Sequence, residues 1–292
     1  PEKLLLRSAD GRILLSYTKP EESVATEMPA TIPDNPTLDQ LKTAQELYLA
    51  GIHVDQYRDP AARPDAYWKE SLRRDPEYVP ALTAMAEYEL NHLRFHSALS
   101  YAQRAWKKVT FRNFHPEGGQ LPYIMGRILE ALGRDDEGWE WYMQSAWQQD
   151  SRGRALTRAS MIEGRRGNMA AMGDLAAKAL QEHTRNETAS MLLALSQKDH
   201  PECMRKTLES ILAQDPLNST CRFLLTGPVP GFYEGLGADP CQTALDIAED
   251  LEACGARHLA VELLRHLPEP CAQTEYVRWY LSEDPDALIN AR

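Results

Sequence analysis

Two histidines offer the most direct route to metal chemistry. His92 and His96 are four apart, and on one helix they would share a face. Imidazoles at that spacing can hold zinc, but a third ligand is required. Leu93 follows His92, so the glutamate of a His-Glu-x-x-His protease motif is missing, and the pair is expected to flank an inter-helix turn around Arg94-Phe95. The glycines of "GFYEGLG" (Gly231, Gly235, Gly237) offer a phosphate loop. No strand pattern precedes them, no helix with a Lys-Ser or Lys-Thr pair follows, and Pro228 and Pro230 lie inside the run. Residues 227–240 are therefore expected to be an irregular connector, longer than most, that projects Phe232 and Tyr233 as a contact. No Gly-x-Ser-x-Gly elbow occurs. A carboxylate pair can cleave a glycoside, but nothing singles out a pair among 43 acidic residues. These residues assign no catalytic group, no metal site and no cofactor.

Composition narrows the class of partner. The 292 residues carry a net charge of −11, and the pI is about 5.3. Phosphate binding needs clustered Lys and Arg. Arg73-Arg74, Lys107-Lys108 and Arg165-Arg166 are short patches that suit solvated helix faces, so neither nucleic acid nor an anionic membrane is an expected partner. The five cysteines (Cys203, Cys221, Cys241, Cys254, Cys271) are odd in number and contain no Cys-x-x-Cys pair. Reduced thiols in the cytoplasm are expected rather than a disulfide framework or a zinc-ligand set. No apolar run approaches the ~20 residues of a membrane span, and Leu4-Leu5-Leu6 is too short for a signal peptide. A start at Pro1 suits a fragment of a longer polypeptide.

The elements that must position any site are mostly helices. Residues 1–18 read as a β-hairpin. Strands Lys3 to Arg7 and Ile13 to Tyr17 flank an Ala9-Asp10-Gly11 turn. Pro20, Pro29, Pro33 and Pro36, interspersed with acidic residues, make 19–37 an extended linker. From Leu38 onward apolar residues recur at i, i+3, i+4 and i+7. The expectation is helical repeats over 38–226, the connector 227–240, and a C-terminal repeat with a capping helix at 272–281 over 241–292.

Self-similarity at ~34 residues is the strongest pattern. Its clearest unit is Tyr123-x-x-Gly126-x-x-Leu129, Leu132-Gly133-Arg134, then Glu137-Gly138-x-x-x-Tyr142-x-x-Ser145, ending at Asp150. This resembles the tetratricopeptide consensus, with Gly138 and Ser145 where that consensus prefers Ala. Neighbouring units carry Gly51 and Trp68; Ala86, Ala98, Ala102 and Ala105; Ser160, Gly167, Ala176 and Ala179; Met204, Leu208 and Ile211; and Ala248, Gly255, Ala260 and Leu264. Small residues at such places let helix backbones approach closely. Gly133, Gly167 and Gly255 suit turns that need a positive φ. The fold class expected is all-α: a right-handed tetratricopeptide-like solenoid of about six helix pairs with a short N-terminal hairpin. Two stretches, "ELYLAGIHVDQYRDPAARPDAYWKESLRRDP" (46–76) and "DPCQTALDIAEDLEACGARHLAVELL" (239–264), resemble a narrower family of very large bacterial tetratricopeptide proteins. There the repeats follow an N-terminal β-sandwich-containing domain of uncharacterised function, often encoded near sugar-utilisation genes. The resemblance covers residues ~1–281, implies that residues 1–18 are the tail of, or a linker from, that upstream domain, and supplies no catalytic residues.

In a tetratricopeptide stack the first helix of each pair lines a concave groove. Inward positions select Tyr48, Asp55 and Gln56, then Thr83, Glu87 and Asn91, then Tyr123, Arg127 and Glu130, then Thr157 and Arg165. Tyr57 belongs to the dense cluster His53-x-x-Gln56-Tyr57-Arg58. Asn113 and His115 are placed to fold over the groove entrance. Trp139, Trp141 and Trp147 crowd one helix, and the spacing of two makes Trp139 or Trp141 a partly exposed anchor. Aromatic and arginine side chains dominate interface energetics. The functional expectation is a non-catalytic scaffold binding a protein, a peptide or a neighbouring domain of the same polypeptide. The alternative is an accessory region of a carbohydrate-active or carbohydrate-binding protein.

Overall fold

Helix starts and stops in this chain follow local chemistry closely. Thr43 and Glu46 form a reciprocal capping box: the Glu46 amide donates to Thr43 Oγ1 at 3.1 Å, and the Thr43 amide to Glu46 Oε2 at 3.0 Å. Helix α1 therefore begins at Ala44, later than the apolar pattern from Leu38 suggests, and runs Ala44–Tyr57. Residues 38–40 form a turn instead. The computed structural model describes residues 3–18, 35–58 and 60–291. Most of the 19–37 linker expected from the prolines lies outside the described residues.

After α1 come α2 (Pro64–Arg74), α3 (Val79–Asn91), α4 (Phe95–Thr110), α5 (Gln120–Ala131), α6 (Asp135–Ser145), α7 (Arg152–Arg165) and α8 (Met169–Glu182). Then follow α9 (Glu187–Ser196), α10 (Pro201–Gln214), α11 (Ser219–Thr226), α12 (Pro230–Tyr233), α13 (Pro240–Ala253), α14 (Arg257–Arg265), α15 (Ala272–Ser282) and α16 (Pro285–Asn290). Consecutive helices pack on one another from α1 to α12 and again from α13 to α16, in a tetratricopeptide-like solenoid. The single capping helix expected at the end is instead two, α15 and α16, because Asp284 caps a further helix with Pro285 at its first position.

The pairs nest through glycine against an aromatic ring. A Cβ on Gly126 would stand 2.6 Å from Cε1 of Tyr142, a ring with no exposed surface. Gly51 meets Trp68 in the same way, a Cβ there lying 2.7 Å from Cδ1. The turns inside the pairs repeat one geometry. Gly133, Gly167 and Gly255 have φ of +72°, +77° and +82°. The next residue's amide reaches back five residues, as in Arg134 N to Leu129 O at 2.9 Å. Leu93 occupies the same place in the α3–α4 turn with φ +61°, and Arg94 N bonds Glu89 O at 2.9 Å. A leucine there costs about 1–2 kcal/mol. Buried Glu89 helps hold the turn through two bonds from the Arg94 guanidinium, at 2.5 and 3.0 Å. His92 caps α3 while His96 sits in α4. They flank the turn rather than share one helix face.

The C-terminal half departs from simple stacking. Arg165 Nη1, at the end of α7, donates to Ala253 O of α13 at 2.7 Å. A Cβ on Gly255 would come within 2.7 Å of Gly164 O. One apolar cluster joins Met161 and Met172 to Leu192, Phe223, Phe232, Ile247 and Leu251. Between α7 and α13, helices α9, α11 and α12 have 10, 8 and 4 residues, shorter than the 14 of α8 and α10. The connector expected to project Phe232 and Tyr233 instead buries them, at 2% and 5% exposure. Tyr233 also donates to Leu263 O at 2.8 Å.

At the N-terminus, β1 (Lys3–Arg7) pairs antiparallel with β2 (Ile13–Thr18) around Asp10-Gly11, with a register shift between Leu6 and Arg7. Leu4, Leu6, Leu15 and Tyr17 are all exposed.

Candidate functional site

The first inner helices bring several of the sequence-selected side chains to one cleft. Its volume is about 640 Å³. Helix α1 supplies Tyr48, Ile52 and Asp55, α2 supplies Trp68, and α5 supplies Gln120. Helix α3 supplies Thr83, Glu87, Tyr88 and Asn91, and His92 follows at its end. These α3 residues share a face because they recur at helical spacing. Trp68 Nε1 donates to Tyr48 O at 3.3 Å, which fixes the indole beneath α1. Tyr48 packs edge-on against Tyr78 at 5.9 Å, and Trp68 does the same against Tyr88. Tyr88 stacks on His92 at 4.0 Å. Burial pushes the Tyr48 hydroxyl above its ordinary pKa, and Tyr78 and Glu87 reinforce the shift. The cleft wall is thus an aromatic floor with carboxylates at its edge.

A ladder of polar bonds ties successive inner helices together beside the cleft. Gln120 Nε2 donates to Glu87 Oε2 at 3.1 Å, and Arg154 Nη2 donates to Gln120 Oε1 at 2.6 Å. Arg154 also lies 4.3 Å over the Tyr123 ring. Tyr123 is therefore a half-buried ring beneath a guanidinium, outside the set of residues that line the cleft. Arg127 is half-buried on the same helix and forms no ion pair among the described residues.

Glu130 has a different role from the one its inward position suggests. Its side chain is 9% exposed. It accepts from Tyr142 Oη at 2.6 Å, from Arg158 Nη2 at 2.7 Å and from Arg165 Nη2 at 2.8 Å. Those bonds cross-link α5, α6 and α7. Burial pushes the Tyr142 hydroxyl far above its ordinary pKa, and the Glu130 carboxylate adds to it. The carboxylate is consumed by packing.

Other expected positions also move. Gln56 and Tyr57 are exposed and lie outside the cleft. Tyr57 is 74% exposed and stacks on His53 at 4.5 Å. Thr157 is buried and accepts from Asn186 Nδ2 at 2.9 Å. Arg165 is committed to Glu130, Asp135 and Ala253. Trp139 and Trp141 are both half-buried, Trp141 edge-on to Trp106 at 4.8 Å. Trp147, beyond the end of α6, is the exposed one, 6.0 Å from His115. Sequence reasoning missed Trp68, Tyr88 and Gln120 as cleft residues. Trp68 belongs to a second helix of a pair, and the inward-position rule looks only at first helices. Among the described residues no cluster of three His, Cys, Asp or Glu is arranged to hold a metal ion, and no helix is long and apolar enough to cross a membrane.

Comparison with solved structures places the fold. The chain is similar to a tetratricopeptide repeat protein from Parabacteroides merdae, with a TM-score of 0.54 and 13% identity over 85% of this chain and 89% of that one. It is also similar to the pilF protein of Pseudomonas aeruginosa, with a TM-score of 0.51 and 13% identity over 84% and 95% of the two chains. A third is YrrB, described as a tetratricopeptide protein with an unusual peptide-binding site. Its TM-score is 0.51 and its identity 13%, over 62% of this chain and 91% of YrrB. No family model matches the chain. The likeness is one of tetratricopeptide architecture.

Proposed function

We propose that the chain is a non-catalytic interaction scaffold that takes a segment of protein in the cleft between α1, α3 and the start of α5. The observation that carries this reading is the convergence of Tyr48, Trp68 and Tyr88 with Asp55, Glu87 and Asn91 around one 640 Å³ recess. Half-buried Tyr48 and Tyr88, backed by the buried Trp68, supply contact area at low entropic cost, and the carboxylates and amide orient polar groups. With two acidic side chains at the edge, the cleft suits a segment bearing lysine or arginine, which the rings also attract through their faces. Peptide binding described for YrrB, which shares the fold, makes this use of the architecture reasonable. The segment belongs to another protein or to a neighbouring domain of the same polypeptide.

Fluorescence-polarisation binding of lysine- and arginine-bearing peptides tests the reading. Tyr48→Ala and Glu87→Ala are each expected to weaken binding about tenfold, a loss of ~1.4 kcal/mol and more than most interface residues cost, with unchanged circular dichroism. Added salt should weaken it further. Peptide affinity unaffected by both substitutions would place the site elsewhere. Oligosaccharide binding lost on Tyr48→Ala and indifferent to salt would favour the carbohydrate-accessory role instead.

A further inference from the structure

Sequence spacing leaves Cys241 and Cys271 thirty positions apart with no motif between them. The fold brings them together at the starts of two neighbouring helices. Cys241 is the second residue of α13, after Pro240, and Cys271 is the N-cap of α15. Cys241 Sγ lies 3.4 Å from Glu269 O, two residues before Cys271. Helix α13 packs against α15, and the two thiols are near enough for each to shift the other's titration. Both side chains are partly accessible, unlike Cys221 and Cys254, which are buried.

We propose that Cys241 and Cys271 form a reversible dithiol–disulfide site that ties the start of α13 to the start of α15. Their environments divide the labour. The Cys271 thiol accepts from the Thr274 backbone amide at the open end of α15, which lowers its pKa and favours the thiolate. Burial, then the neighbouring Cys271, raise the Cys241 thiol. Cys271 is therefore the attacking sulfur and Cys241 the resolving one.

A peroxide is the class of oxidant that fits. The Cys271 thiolate attacks one peroxide oxygen, the O–O bond breaks, and the departing hydroxide takes up a proton to become water. Cys271 is then a sulfenic acid. The Cys241 sulfur attacks the Cys271 sulfur, the S–O bond breaks, and the hydroxyl leaves as a second water after taking the Cys241 proton. Two thiols lose two electrons, and one peroxide gains them. A small dithiol reverses the step by thiol–disulfide exchange. The closed loop holds α13, α14 and the N-terminal end of α15 together, so oxidation raises the thermal unfolding midpoint.

The test is thiol titration of the native chain with a chromogenic disulfide, followed by peptide mapping. Three thiols (Cys203, Cys241 and Cys271) should react in the reduced protein. After stoichiometric hydrogen peroxide the titre should fall to one, and the map should show a Cys241–Cys271 cross-link. Dithiothreitol should restore three. Cys203→Ser should leave the cross-link intact, and Cys241→Ser should stop Cys271 at a dimedone-trappable sulfenic acid. An oxidised wild-type chain whose map lacks the Cys241–Cys271 link, or links Cys203 instead, overturns the proposal without needing either variant to fold.

Discussion

Replacing Glu130 by alanine separates packing from recognition in this molecule. The carboxylate takes bonds from Tyr142, Arg158 and Arg165 while only 9% exposed. Removing one partner of a buried ion pair costs about 3–5 kcal/mol, because the other charge is left without compensation. Arg158 and Arg165 are 33% and 24% exposed. Water therefore recovers part of that cost, and the low end applies. The stranded Tyr142 hydroxyl, buried against Gly126, adds part of the ~1–3 kcal/mol for an unsatisfied polar group. These terms overlap, and the working figure is about 3 kcal/mol for the α5–α6–α7 junction. At ~1.4 kcal/mol per factor of ten, amide hydrogen exchange in those helices should speed up roughly 100- to 200-fold. Exchange is the better assay than one global melting curve, because stacked repeats lose stability unit by unit. Amides in α1 and α2, two pairs away, should change little. Exchange altered less than about threefold in α5 to α7, together with a loss of peptide affinity, would refute the reasoning and return Glu130 to the partner-binding surface.

Gly126→Ala should destabilise the same junction by up to about 2 kcal/mol. Overpacking against the fully buried Tyr142 ring, 2.6 Å from the added Cβ, costs ~1–3 kcal/mol, against the ~1 kcal/mol that alanine contributes to helix propensity. A urea midpoint at or above wild type would contradict this. The second concerns alkaline pH. Burial raises the Cys254 thiol from its ordinary 9.0 to about 11. The unfolded chain therefore releases this proton first, and stability falls as pH rises from 9 toward 11. The contribution, at most ~3 kcal/mol, is fully present below pH 9. Cys254→Ala should show a pH-independent offset and a shallower alkaline loss in thermal unfolding. An unchanged slope would contradict the shift.

Much of the architecture was legible in side-chain size and spacing. Gly126 against Tyr142, Gly51 near Trp68, and the glycines at the intra-pair turns declare where backbones cross and where φ must be positive, since only small or achiral residues satisfy those demands. Asp10-Gly11 located the hairpin turn for a similar reason. Such constraints act within one or two helices, so the local chain carries them. Leu93 shows the limit. It takes the left-handed turn conformation without being glycine, held by bonds from neighbouring residues that spacing does not reveal.

The tertiary structure alone decided which polar inward residues are available. Glu87 and Glu130 look alike in the repeat, yet one edges a cleft and the other is surrounded by two guanidiniums and a phenol contributed by α6 and α7. The return of α13 to α7 and the burial of Phe232 and Tyr233 join residues far apart in the chain, and the approach of Cys241 to Cys271 follows from how α13, α14 and α15 pack. Periodicity records which face of a helix is apolar, and it holds no information about which distant helix will cover that face.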